Sequence, residues 1–397
     1  MAATLGLRGT GAFSSDERPQ NWREKILQLF PNGEAPLTAL VSKLRSQPTT
    51  DYTFNWWEKR LPTQRMQVNG AHTAAALAIN VDSGAKDAVN GTLVLNETSG
   101  EILLVTTDPT ADTQLPVVTR SWGAVVATAM ADDEFLTVIG NIHEQGAAVP
   151  TPKSYAPTKK TNLTQIFRMP LSLTRTAKKT YLRWDNTGPY REAKREALSL
   201  YSIEMEKAFL WGEQAETTGV AGLPLYSTDG IKAILTTNKP SGTASANFGI
   251  DGTLDEATWD AICEDLFRYG SNEKLVLAGS TFLRAITTLA KRNGTLNMVP
   301  QDKVYGMKIV DYTSAFGTLY LKNHPLLSQH PVWRKDAFVV DTGNLVYRYV
   351  DETRFLKNRQ NPGDDLSKDE YLGECGLETE FEETHGYVRG VTDALIV

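Results

Sequence analysis

Apolar and polar positions along this chain fall into stretches of two different periods. Ala193, Ala197, Tyr201, Met205 and Phe209 recur every four residues, with Leu198 and Ala208 beside them and charged residues on the other side. That spacing predicts a helix from about Tyr190 to Trp211, stopped at Gly212. At ~1.5 Å per residue it would be roughly 33 Å long, a backbone on which other elements can be mounted. Nearer the start, Trp22, Ile26, Leu29 and Phe30 share one helical face, and Leu37, Leu40, Val41 and Leu44 share another, with Pro36 suited to a first turn. These are either two helices packed on their own core or an arm that docks on a neighbouring subunit.

Other stretches read as strands. Tyr52 to Leu61 (YTFNWWEKRL) is aromatic-rich strand material. From about 70 to 150, runs such as TLVLN, EILLVTT, PVVTRSW and EFLTVIG alternate with turn signals at Asn90-Gly91 and Ser99-Gly100, which predicts a small all-β insertion. After the connector Pro150–Pro157 comes QIFRMPLSLTR, whose Pro170 marks an edge or a bulge. Tyr52–Leu61 is expected to pair antiparallel with about Leu163–Leu173, carrying the insertion at its tip.

Beyond the long helix, Thr236 to Thr253 reads as an exposed loop. Thr253 and Glu256 form a capping box for a helix bearing Trp259, Ile262, Cys263 and Leu266. Strand KLVLAG, a helix capped by Ser280, and strands VYGMKIVDY, GTLYLKN, AFVVD and LVYRYV follow. That order implies an α+β lobe with helices against a mixed sheet. The segments CGLETEFEE and GYVRGVTDALIV add two returning strands.

Composition narrows the function classes. The 397 residues, 41% hydrophobic and 22% charged, are ordinary globular values and allow two or more lobes. No apolar run approaches the ~20 residues needed to cross a bilayer, so no membrane partner is expected. Met1 to Ser15 lacks a basic region followed by an apolar stretch, so no secretory signal is expected. Two cysteines, Cys263 and Cys375, cannot make a disulfide framework and fit a reducing interior. A net charge of −6 disfavours tight nucleic-acid binding, yet suits a wall that encloses DNA without trapping it.

Catalytic and metal chemistry is hard to assemble from these residues. His143-Glu144 begins like a zincin motif, but Ala147 stands where the second ligand belongs. His324 and His330 lack partners at ligand spacing, and Cys263 reads as a buried structural thiol. No catalytic, cofactor or metal residue is assigned. Charge is more informative. Lys153 to Arg195 holds eleven Lys/Arg against Asp185 and Glu192, whereas Asp351 to Glu383 holds eleven Asp/Glu against four Lys/Arg. These blocks are two solvated faces, a DNA-binding patch, or complementary patches that meet within or between subunits.

The order of arm, β excursion, long helix, α+β lobe and returning strands resembles the Hong Kong 97-type fold of tailed double-stranded DNA bacteriophage major capsid proteins. Asn162-Leu163-Thr164-Gln165-Ile166-Phe167, Thr174-Arg175-Thr176, Tyr190, Glu204, Glu206 and Gly212 are similar to a capsid subfamily's approach to its spine helix. So are the Gly219-Val220-Ala221-Gly222-Leu223 turn, Gly376-Leu377-Glu378, His385-Gly386 and Gly390-Val391. The resemblance implies an N-arm (1–50), an E-loop (51–189), a peripheral domain with the spine helix (190–222), an axial domain (223–345) and peripheral C-terminal strands (346–397). It implies a structural protein, not an enzyme, that self-assembles into pentamers and hexamers of an icosahedral shell around phage DNA. The shell would be assembled in the host cytoplasm with portal, scaffold and decoration proteins. DNA would lie nearby without sequence-specific binding. Trp56, Trp57, Lys178, Lys179 and Arg183 are the expected intersubunit contacts. A cellular nanocompartment shell, or a hydrolase whose carboxylates meet only on folding, is the alternative.

Overall fold

The computed structural model describes residues 45–116, 118–180, 188–240, 248–292, 298–304 and 307–394. The amphipathic stretches at 22–30 and 37–44, and Arg183, lie outside the described residues. The chain forms two units, one of Trp57–Lys160 and one of the flanking chain up to Trp56 and from Thr161 onward.

The Trp57–Lys160 unit is all β. Its antiparallel sheet has the order Arg65–Gln67, Phe135–Asn141, Thr92–Asn96, Ile102–Val105, Val118–Thr119. Strand alternation sends Met66, Val94, Leu103, Val105 and Leu136 into one apolar core with Ile79, Val81 and Leu115. Turn chemistry sets the register. The Asn96 side-chain oxygen accepts the Thr98 and Ser99 amides in the hairpin that turns at Gly100. Gly91 has φ of 84°, and a Cβ there would sit 2.6 Å from the Ile142 carbonyl oxygen. Only glycine fits.

One ion pair organises this unit. Arg120 meets Glu101 through two contacts of 2.6 Å, with side chains 6% and 0% exposed. The guanidinium also donates to the carbonyls of Thr73, Ala76 and Thr128, and Glu101 accepts the Ser121 and Thr128 amides. Burial pushes the Glu101 carboxyl up, but Arg120 and the two amides outweigh it, and its pKa is lowered.

In the flanking unit, the long helix spans Pro189–Trp211. Pro189 sits in the first turn, where its missing N–H leaves no bond unmade. The buried stripe Ala197, Tyr201, Met205 and Phe209 packs on a four-stranded sheet ordered Arg45–Pro48, Leu345–Leu356, Leu366–Thr379, Gln165–Thr174. Phe167 stands edge-on to both Tyr201 and Phe209, with centroids 6.3 Å apart. Gly373 lies opposite Phe167 in the register, and a Cβ there would sit 2.6 Å from the Tyr201 hydroxyl. The missing side chain lets helix and sheet approach.

The same helix faces a second sheet. Its order is Met298–Val304, Met307–Thr313, Thr318–Asn323, Glu273–Ala278, Ala337–Val340, Gly386–Val388. Glu273–Ala278 runs parallel to Thr318–Asn323 and antiparallel to Ala337–Val340, so the sheet is mixed. Val276 and Ala278 point to helices Glu256–Phe267 and Ser280–Arg292, whereas Leu275 and Leu277 join the core that holds Phe209 and Leu210. Burial on both faces explains the continuous apolar run KLVLAG. The fold is α+β, as expected.

Three expectations change in detail. Tyr52–Leu61 meets Leu163–Leu173 only at its margin, where the Thr164 amide donates to the Tyr52 carbonyl at 2.8 Å. Instead Thr53–Glu58 pairs with Thr158–Leu163, while Gln165–Thr174 pairs antiparallel with Leu366–Thr379. The alternating apolar face of Gln165–Thr174 is needed under the long helix, so the pairing slips to the residues before it. The Glu256–Phe267 helix is capped by Asp255, whose carboxylate accepts the Thr258 amide, and Thr253 lies in a short strand. Both residues match the capping preference, and the nearer one takes the role. Ser280 is the first residue of its helix rather than the residue before it.

Two outcomes test these buried polar sites. Arg120→Met strands a buried carboxylate and should lose about 3–5 kcal/mol in urea unfolding, and Glu101→Gln/Arg120→Met should recover a large part of it. The second concerns His385, which is wholly buried, accepts the Asp341 amide at Nδ1, and lies beside buried Lys274. Burial, then Lys274, pushes its pKa down to about 4. Lys274, lowered by burial to about 8, stays charged below neutrality. The unfolded chain binds a proton near pH 6.5 and the folded chain resists it, so stability present above that pH drains away as pH falls toward 4. Urea midpoints measured from pH 7 to 4.5 should fall, and His385→Asn, which keeps an acceptor near Nδ1, should flatten the decline.

Candidate assembly surface

The two charge blocks meet within one chain. Gln165–Thr174 and Leu366–Thr379 pair continuously from Gln165 opposite Cys375 to Thr174 opposite Leu366. Alternation turns Phe167 and Leu171 inward and Ile166, Arg168 and Pro170 outward. Arg168 reaches Glu370 at 2.6 Å, Arg359 reaches the other oxygen of Glu370 at 3.1 Å, and Arg175 reaches Asp365 at 3.0 Å. Arg168 holds the Glu370 carboxyl below its usual range. Tyr190 donates to Asp369 at 2.5 Å, and burial followed by that carboxylate pushes its pKa up to about 12.

The five expected contact residues fall in different settings. Trp57 is 66% exposed, while Trp56 is half-buried and stacks on buried Phe54 at 6.1 Å. Lys178 and Lys179 are exposed on the short helix Arg175–Lys179. Lys178 donates to Ser367 and lies 5.0 Å over the Tyr190 ring, so part of its role is within the chain. The four described positions lie on two separate elements.

The motif Asn162-Leu163-Thr164 proves to be a buried polar knot. The Asn162 amide donates to the Leu377 carbonyl at 2.8 Å, and its oxygen accepts the Asp229 amide at 2.9 Å. Thr164 and Tyr226 both donate to Glu374, at 2.8 and 2.9 Å. The knot fixes where a projecting hairpin leaves the body. That hairpin, Ala215–Thr218 with Pro224–Ser227, leaves Val220, Leu223 and Leu225 exposed. Sequence reasoning marks only its Gly219–Leu223 turn and not its surface. The signal was present in Thr217–Leu225, an apolar stretch with no charged residue.

Reactive chemistry is muted. Cys263 and Cys375 are buried, and burial pushes both thiols up to about 12. Among the described residues no group of His, Cys, Asp and Glu is arranged to hold a metal ion, and no helix is long and apolar enough to cross a membrane. Glu206 and His324 meet at 2.7 Å with no exposure, and link the long helix to the end of strand Thr318–Asn323.

Comparison with known proteins identifies a family. The model described as "SU10 major capsid protein" matches residues 7–392. The major capsid protein of Pseudomonas phage PaMx41 is 26% identical over 354 residues, covering 86% of this chain and 82% of that protein. Among solved structures, one from Mycobacterium phage Bobi superposes with a TM-score of 0.46 at 10% identity, covering 94% of this chain and 96% of that one. The capsid asymmetric unit of cyanophage A-1(L) gives 0.45 at 9% identity, covering 97% and 99%. These structural likenesses are distant and add no detail to the match along the chain.

Proposed function

This chain belongs to the SU10 major capsid protein family, and we propose that its copies form pentamers and hexamers that close into an icosahedral shell around phage DNA. It is a phage major capsid protein, a self-associating component of the virion capsid. The observation that carries the finer reading is the long helix serving two sheets at once, a stiff subunit on which rings can be built. The long helix and the two sheets are parts expected of the Hong Kong 97-type fold. In this reading 1–50 is the N-arm, 51–189 the E-loop, 190–222 the spine helix, 223–345 the axial domain and 346–397 the peripheral strands.

Trp56, Trp57, Lys178, Lys179 and Arg183 act at subunit contacts. Exposure of Trp57, Lys178 and Lys179 supports this. Assembly takes place in the host cytoplasm with portal, scaffold and decoration proteins. The net charge of −6 supports a wall that contains DNA without gripping it. Purified protein should form rings or closed particles by negative-stain microscopy and light scattering. Lys178→Glu/Lys179→Glu should slow assembly with the far-UV spectrum unchanged. A wild-type protein that stays monomeric at high concentration, with and without scaffold, would count against the reading.

A further inference from the structure

Two uncharged, exposed segments of the Trp57–Lys160 unit lie side by side. Neither 70–79 nor 121–131 contains Asp, Glu, Lys or Arg, and the two are bridged between His72 and Met130. Leu77, Trp122, Val125 and Val126 are 57%, 44%, 42% and 77% exposed. The buried Arg120–Glu101 pair holds this display open. Arg120 takes carbonyls from Thr73 and Ala76 on one segment and from Thr128 on the other, and Glu101 takes the amides of Ser121 and Thr128. Ile79 and Met130 take the inner side together with this polar pair, and Leu77, Trp122, Val125 and Val126 are left outside. Exposed apolar side chains gathered on two paired segments mark an interaction site.

The flanking unit carries a matching projection. Its hairpin Ala215–Thr218 and Pro224–Ser227 is closed by the Gly219 amide on the Leu223 carbonyl at 2.8 Å. The base is fixed by Tyr226 stacking on Tyr52 at 4.9 Å and by Ser227 bonding the Glu213 carbonyl. Its tip presents Val220, fully exposed, with Leu223 and Leu225 at 68% and 60%. No charge occurs from 217 to 227. A charged partner on the loop pair would lose hydration without a counter-ion, whereas this tip has no charge to desolvate.

We propose that the hairpin tip of one copy seats on the paired 70–79 and 121–131 segments of a neighbouring copy. The inference rests on the reading of this chain as a self-associating shell protein. Two different patches meet, so the contact is heterologous and propagates head to tail around a ring. Rigid mounting of both partners lowers the ordering cost of each contact.

The test mixes full-length Val126→Cys chains with full-length Leu223→Cys chains, assembles them and oxidises the particles. Both native cysteines are fully buried, so each chain offers one surface thiol. The expected result is a covalent dimer whose disulfide-linked peptide joins positions 126 and 223. Particles that yield only monomers, or only same-site dimers, overturn the contact while leaving the shell reading intact. A wild-type chain that forms no particles overturns both. As a second measurement, Val126→Asp should slow assembly by about tenfold. Leu61→Asp, at another exposed apolar position of the same unit, should not. Wild-type assembly by Val126→Asp overturns the proposal.

Discussion

Burial of one face of the Pro189–Trp211 helix is the contact on which the flanking unit depends. Tyr201 and Phe209 bring Phe167, Tyr347 and Tyr371 of the four-stranded sheet against the helix. Phe209 and Leu210 share that core with Leu275, Leu277 and Phe338 of the six-stranded sheet. Fully burying one such side chain contributes about 1.5–3 kcal/mol, so the stripe outweighs any exposed ion pair on the surface. Trp211, the last residue of the helix, stacks on Trp333 at 4.1 Å, which in turn stacks on His330 at 4.0 Å. The helix end is thereby fixed as firmly as its middle.

Polar groups enter these cores only where their bonds are met, which makes each one a locator. Asn162 has a single arrangement that satisfies Leu377, Asp229 and Leu163 together. Asp336 accepts from both Tyr387 and Gly390, and Glu382 gathers the Thr236 and Thr237 amides and hydroxyls. Apolar packing tolerates small shifts, whereas a buried donor or acceptor left unpaired costs about 1–3 kcal/mol. Register and loop placement are therefore set by polar contacts inside an apolar frame.

That division explains what was legible beforehand. The four-residue spacing of Ala197, Tyr201, Met205 and Phe209 located the long helix to within a residue, because its period comes from burial alone. The α+β order was legible for the same reason. Strand pairing was not. Tyr52–Leu61 and Leu163–Leu173 are both good strand material, and only the demand for an apolar face beneath the helix chooses between partners. The charge blocks were visible by counting, yet the Arg168–Glu370 and Arg175–Asp365 contacts follow from a register that counting cannot supply. The apolar hairpin tip stayed hidden because exposure is a property of the fold.

Among the described residues, the four-stranded sheet ends on Arg45–Pro48 at one side and on Gln165–Thr174 at the other. Pro48 and Pro170 each remove an amide donor from those outermost strands. An open edge with every amide present invites strand-to-strand stacking, which has no natural limit and ends in fibres. A chain stored at shell concentrations must avoid that route. With both margins blunted, growth is steered to side-chain surfaces, whose curvature can bring an assembly back to its starting point.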